Sequence, residues 1–300
     1  TETIPEPLLD LLRIPGLGTK KIKAIYDTLG ISSIPDLAAA CEDGRLDQMP
    51  GFGTKTQQNI LKGIERLDHF AGQFRYDVAL TAAAPLLEIL QQHPATQRVS
   101  VAGSLRRAKE IVKDIDIVIS CTDPTAVSAA FVDAPDVVDV IGQGDRKTSV
   151  QLASGLQVDL RLVDDEHFAT ILHHFTGSKD HNVQLRTRAL ARGFRLNEYG
   201  LFPADGEDPI VCASEEGLFE VMELDYIAPE MREGLGEIDA AHDHCLPRLI
   251  QQRDLRGVLH VHTTDSDGTA DLSQMVAAAA DRGYEYIGIS DHSQSAGYVY

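Results

Sequence analysis

Apolar residues recur at helical spacing over two early stretches, LLRIPGLGTKKIKAIYDTLG from Leu11 to Gly30 and LDQMPGFGTKTQQNILKGI from Leu46 to Ile64. Each predicts helix, Pro-Gly-x-Gly turn, helix, with one apolar residue before the turn (Ile14, Met49), one between the glycines (Leu17, Phe52) and Thr-Lys opening the next helix. A further helical stretch follows, read as broken at Pro85. From about Arg98 the period shortens to two. Val99 and Val101 alternate with polar neighbours, as do Ile115, Ile117 and Ile119, and then Leu156, Val158, Leu160 and Leu162, which predicts strands of a mixed α/β unit. From Asp165 to about Leu235 the pattern is mainly helical, with a hairpin expected within Arg195–Pro209. Beyond Leu255 the order is strand (GVLHVH), helix (Ala270 to Arg282) and strand (YEYIGISDH), one βαβ unit.

At 300 residues and 43% hydrophobic content the chain is long enough for several cores. It has no apolar run of spanning length and no signal-peptide layout, so a cytoplasmic protein with no membrane partner is expected, and a monomer. The four cysteines are scattered, against a disulfide framework or a zinc knuckle. A formal charge of -19 speaks against nucleic acid until its distribution is considered. Asp205 to Asp243 holds 13 acidic residues and one basic residue, Arg232, whereas Thr176 to Glu198 carries Lys179, Arg186, Arg188, Arg192 and Arg195 against Asp180 and Glu198. A basic face thus survives beside an acidic one.

Four features carry chemistry. The repeated turn is the helix-hairpin-helix motif: Gly16 and Gly18, and Gly51 and Gly53, expose amides at a helix start where a DNA phosphate docks without base reading, with Lys20 and Lys55 (and Lys21) placed to assist. A single copy would be read as a tight interhelical turn; the repetition favours phosphate binding. In GSLRRAKEIVKDIDIVIS, Gly103 to Ser120, Asp114 and Asp116 project from one strand face, and Asp159 in LQVDLRLV stands opposite the apolar residues of its own strand. If those strands are neighbours, three carboxylates converge as two hard cations about 3.5 to 4 Å apart require for in-line phosphoryl displacement. The upstream Gly103-Ser104 turn offers amides and a hydroxyl to a phosphate, and Arg106 and Arg107 follow. Asn182 and Arg186 share a helix face. Finally, His260 and His262 alternate on one strand, Ser266, Asp267 and Gly268 follow, and the next strand ends in Asp291 and His292, as ligands at the active edge of a barrel do.

The Gly-Ser turn with its Asp-x-Asp strand, and HHFTGSKDHNVQLRTRALARGFRLNEYGLF from His173 to Phe202, resemble the bacterial family X DNA polymerases, the DNA polymerase beta-like enzymes. The resemblance implies that Asp114, Asp116 and Asp159 bind two Mg2+ or Mn2+ ions and that Gly103, Ser104 and Arg107 hold the triphosphate of a deoxynucleotide. It further implies that Phe175 and Gly177 screen its sugar (with Thr176), that Asn182 and Arg186 contact nucleotide and template side, and that Asn197, Glu198 and Tyr199 match a family element. The partners implied are dNTP and primer-template or gapped DNA. The last segment resembles the opening of a PHP domain, a β/α barrel in which His260, His262, Asp267 and His292 would bind Mn2+ or Zn2+ for 3′-5′ exonuclease or phosphoesterase chemistry. Such a barrel needs roughly 200 residues or more, so later ligands would lie beyond Tyr300.

The expected organisation is therefore multidomain α+β. It comprises an all-α tandem helix-hairpin-helix domain (1–70), a nucleotidyltransferase palm of mixed β-sheet with helices (71–163), an α+β thumb (164–235), an acidic connector (236–254) and an incomplete PHP domain (255–300). No counterpart of the family's small N-terminal domain is seen before the first hairpin, so lyase chemistry is not legible. Two positions depart from the family pattern: Lys113 stands where Gly is usual before the first Asp, and His174 where Tyr is usual. They put sugar discrimination and triphosphate affinity in doubt. Another nucleotidyltransferase and a noncatalytic DNA-binding scaffold are the competing readings.

Overall fold

The structure, a computed structural model, describes residues 8–70, 72–293 and 295–296. Residues 1–7 of the expected clamp domain and 297–300 of the final segment lie outside them. The described chain divides into two compact units, to His244 and from Cys245.

In the first unit, helices Leu8–Leu11, Thr19–Leu29, Ile34–Glu42 and Thr54–Phe70 build the repeat. The four apolar residues that bracket its glycines, Ile14, Leu17, Met49 and Phe52, are all buried in one core with Ile25, Leu37 and Ile60. The turns are thereby drawn inward on their apolar side while their glycines stay at the surface. Gly63 is held to a bare backbone by close approach: a β-carbon there would meet Ile14 Cγ2 at 2.8 Å.

The helix Tyr76–Gln92 runs through Pro85 without a break, correcting the sequence expectation. Thr81 and Pro85 both face solvent, so water can satisfy the carbonyl that proline leaves without its amide partner, while Ala79, Ala83, Leu86 and Leu90 on the other face are buried. This helix covers a five-stranded mixed sheet ordered Thr96–Val101, Asp114–Cys121, Gln157–Val163, Lys147–Leu152, Val137–Gln143. Only the second and third strands run parallel; every other pairing is antiparallel. One face of that parallel pair, Ile115, Ile117, Ile119, Val158, Leu160 and Leu162, lies in the main core. The other face begins with carboxylates and continues to Val118, which packs with Ala102, Phe168 and Leu172.

That small second core seats the helix Phe168–Thr176 on the carboxylate side of the sheet. The helix Lys179–Ala191 follows, capped by Ser178, then the hairpin Phe194–Asn197 with Gly200–Pro203 and the helix Glu215–Val221. Glu237–His242, expected inside the connector, is a helix with Ile238 and Ala241 buried. In the second unit, strands Gly257–Val261 and Tyr286–Ile289 pair in parallel and the helix Leu272–Asp281 connects them. Among the described residues no helix is long and apolar enough to cross a membrane.

Candidate functional site

The parallel pairing sets Asp116 directly opposite Asp159, with Asp114 opposite Gln157. Three carboxylates therefore occupy one end of one sheet face, as the alternation predicts. They differ in environment. Burial pushes the Asp116 carboxyl up to about 6, and the charges of Asp114 and Asp159 push the same way. For Asp159 burial acts upward too, but hydrogen bonds from Lys147, Gln157 and Ser149 outweigh it and hold the group below its ordinary value. The Lys147 ammonium is 2.5 Å from Asp159 Oδ2, and Gln157 Nε2 donates to Oδ1 at 3.0 Å. The three carboxylates share a face yet do not close into a set of ligand atoms all within 4.8 Å of one another. Lys147, from the neighbouring strand, takes up part of the charge that would otherwise force them apart.

The Gly-Ser turn presses on this cluster. Gly103, at φ +59, opens the short helix Gly103–Arg106, and a β-carbon on it would stand 2.4 Å from Asp116 Oδ2. Ser104 is partly exposed on the same turn, and Lys113 is exposed immediately before the first carboxylate. The donor set, hard oxygens that include one half-buried carboxylate whose pKa stays raised despite Arg161 and Lys147, suits divalent cations such as Mg2+ or Mn2+.

Facing the turn are residues of the following helices. Arg107 Nη1 donates to Thr176 O at 2.5 Å, and Gly177, at φ +72, leaves the space its guanidinium fills. Arg106 donates to Thr176 Oγ1 at 2.8 Å and makes a two-pronged pair with Glu215. Asn182 Nδ2 donates to His174 O at 2.8 Å while its Oδ1 is buried without a partner, and Arg186 Nη2 lies 3.3 Å from His174 Nδ1. Burial first and Arg186 second lower the His174 pKa, so the ring is neutral at pH 7. Phe175 lies under the Arg161 guanidinium, 4.4 Å from its ring centre. Both line a cleft of about 670 Å³ with Arg146, Glu198, Tyr199 and Phe202. Asn197 accepts from the Tyr199 amide at 2.9 Å, the ordinary role of a turn asparagine.

Sequence reasoning missed Lys147, Arg161, Glu215 and Arg232. Arg161 had a signal, since it lies two residues beyond Asp159 and so on the same face. Lys147 had none short of knowing the strand order.

At the clamps, Gly16 and Gly51 adopt φ +83 and +85, which only glycine tolerates well. Gly18 and Gly53 do not, and a β-carbon at any of the four would meet nothing within 4 Å. Internal packing thus fails to explain glycine at the second position of either turn. Lys20 and Lys55 are exposed beside them. In the second unit, ligand atoms of His262, Asp267 and His292 all lie within 4.8 Å of one another, the only such group of three among the described residues. Asp267 Oδ1 is 3.1 Å from His262 Nδ1, which is buried and makes no hydrogen bond. His260 is exposed and outside the trio, its ring 5.0 Å from that of His262.

A carboxylate-bearing mixed sheet joined to tandem helix-hairpin-helix turns is a DNA-handling architecture, and comparison with known proteins specifies it. Residues 171–233 match the DNA polymerase beta thumb family and residues 8–66 the SAM-like helix-hairpin-helix tandem. The chain belongs to the family X DNA polymerases. It is 39% identical to the DNA polymerase/3′-5′ exonuclease PolX of Bacillus subtilis (strain 168), over 97% of this chain and 51% of that protein. It is 21% identical to the Repair DNA polymerase X of African swine fever virus (strain Badajoz 1971 Vero-adapted), over 58% of this chain and 98% of the viral one. The chain thus spans about half the length of its Bacillus relative.

Proposed function

We propose that this chain is the polymerising part of a repair enzyme that adds deoxynucleotides to a primer 3′-hydroxyl in gapped or primer-template DNA, working as a cytoplasmic monomer. The observation that carries the reading is Asp116: a half-buried carboxylate flanked by two others, raised to about 6 and covered by Gly103, on which a β-carbon would stand 2.4 Å from its Oδ2. Such an arrangement is costly unless cations complete it. Asp114, Asp116 and Asp159 are the residues that would hold Mg2+ or Mn2+. Held there, such cations would supply activation of the attacking hydroxyl and charge to offset the triphosphate and its leaving group.

The chain's own residues do the rest. Gly103, Ser104 and Arg107 receive the triphosphate; Phe175 and Gly177 wall the sugar. Asn182, with its unpartnered buried oxygen, and Arg186 face the base. The clamps at Gly16, Gly18, Lys20, Gly51, Gly53 and Lys55 grip phosphates without reading sequence. In domain terms we assign 1–70 to the clamps, 71–163 to the palm, 164–235 to the thumb, 236–254 to the connector and 255–300 to the start of a PHP barrel. In that last segment the His262, Asp267 and His292 trio, with its unbonded imidazole nitrogen, supports a second metal site for Mn2+ or Zn2+, His260 being the outer member.

The test is primer extension on gapped and ungapped templates with Mg2+ and with Mn2+. Template-directed addition that is lost on chelation is expected. A protein that binds the same DNA yet adds no nucleotide with either cation is a scaffold, and the polymerase reading fails.

A further inference from the structure

Arg107, which the proposed function assigns to the triphosphate, already has an anion. Its Nε donates to Glu233 Oε1 at 2.9 Å, and Lys109 Nζ lies 3.4 Å from Glu233 Oε2. One carboxylate thus joins two cations at the mouth of the Gly103–Arg107 turn. It arrives there from a loop that is firmly pinned. The preceding residue, Arg232, is fully buried, donates to Ile227 O and Glu215, and accepts from the Ser178 amide. The following residue, Gly234, at φ +73, packs so closely on the helix Lys179–Ala191 that a β-carbon would stand 2.8 Å from Asp180 Cβ. The neighbours are buried or tightly packed for evident structural reasons, whereas Glu233 remains partly exposed and spends its charge on the turn.

We infer that Glu233 is an internal stand-in for a phosphate: it occupies Arg107 and Lys109 in the nucleotide-free protein and is exchanged for, or repels, the incoming triphosphate, so setting how tightly deoxynucleotides bind. The inference rests on the reading of Arg107 given under the proposed function. Its physics is simple. A carboxylate sharing two cations with a polyanion raises the energy of the bound state by like-charge repulsion, and the repulsion weakens with salt. The same carboxylate keeps two cations from repelling each other, and from capturing stray anions, while the site is empty.

Glu233→Gln removes the charge but keeps an oxygen that can accept from Arg107 Nε, separating charge from positioning. Binding of dATP with Ca2+ in place of the catalytic cation, and of inorganic tripolyphosphate alone, is measured by calorimetry on the full chain. Both ligands should bind roughly three- to tenfold more tightly to the variant, with the gain shrinking as salt rises. Glu233→Ala is expected to move affinity in the same direction, so a folding defect confined to one variant leaves the other decisive. Weaker binding in Glu233→Gln would make the carboxylate a positioner of Arg107, and unchanged binding a bystander; either overturns the inference. Normal primer extension by the unmodified protein alongside such a result sinks this inference alone. Failure of the unmodified protein to bind dATP or extend a primer sinks the reading beneath it as well.

Discussion

Two acidic regions, one half-buried on the sheet and one buried among helices, behave in opposite ways in this fold. On the sheet, Asp116 has carboxylates for neighbours and is pushed up to about 6. Among the helices that follow, Glu215 and Glu237 are more completely buried than Asp116, and burial alone would raise both. Arg106 and Arg232 reverse the effect for Glu215. For Glu237 the His181 ring and the backbone amides of Glu237 and Gly234 do so, down to about 2. His181 Nδ1 donates to Glu237 at 2.7 Å, and its Nε2 lies 3.1 Å from His173 Nε2, a chain of rings that burial keeps neutral. The lesson is that burial does not make a carboxylate functional. What separates the two regions is how much counter-charge the protein itself supplies: among the helices it reverses the effect of burial, whereas at Asp116 the pull of Arg161 and Lys147 is outweighed by burial and by the charges of Asp114 and Asp159.

Removing the unsatisfied group should have the greatest consequence. Asp116→Asn should lower primer extension by roughly a thousandfold or more, because cation binding supplies several kcal/mol of the barrier reduction, while DNA affinity measured by filter binding stays within a factor of about two. Retained extension in a folded variant would dissolve the distinction.

Removing a satisfied group should do the reverse. Glu215→Ala leaves Arg232 buried with no counter-charge, and urea unfolding should show a loss of about 3 to 5 kcal/mol. A loss under roughly 1 kcal/mol would mean that the Arg106, Glu215 and Arg232 contacts are ornamental.

The smallest effect tests the sign of the Asp116 shift. A carboxyl whose folded pKa lies above its unfolded value carries no penalty below the unfolded value, at about pH 3; the penalty grows as pH rises from about 4 to about 6 and is complete above that. In chelator, Asp116→Asn should therefore be more stable than the parent by about 2 kcal/mol at pH 7.5 and indistinguishable from it near pH 3. Thermal melts at the two pH values read this directly, and Mg2+ added at pH 7.5 should close the gap by stabilising only the parent.

Much of the site is legible in the residues alone. Alternation at period two places Asp114 and Asp116 on one strand face, and the bracketed glycines mark both clamp turns, because these are properties of a single segment and its dihedral menu. His262, Asp267 and His292 follow from strand-end placement in the same way, although His260 falls outside the trio that the fold assembles. Pro85 misleads because its effect depends on which side of the helix meets water, a matter that local propensity does not contain.

Which positions carry charge, and which face of its own element each one takes, can be read from the residues alone. Which of those charges meet depends on packing between distant elements. Lys147 reaches Asp159 because the strand Lys147–Leu152 lies beside Gln157–Val163 in one particular register, with Ser149 opposite Asp159. Arg107 reaches Glu233 across 126 positions because a buried arginine and a packed glycine fix the loop between them. A segment's dihedral preferences are local, whereas the partner of a charge is set by strand order and by how distant elements pack, and no spacing along the chain encodes either.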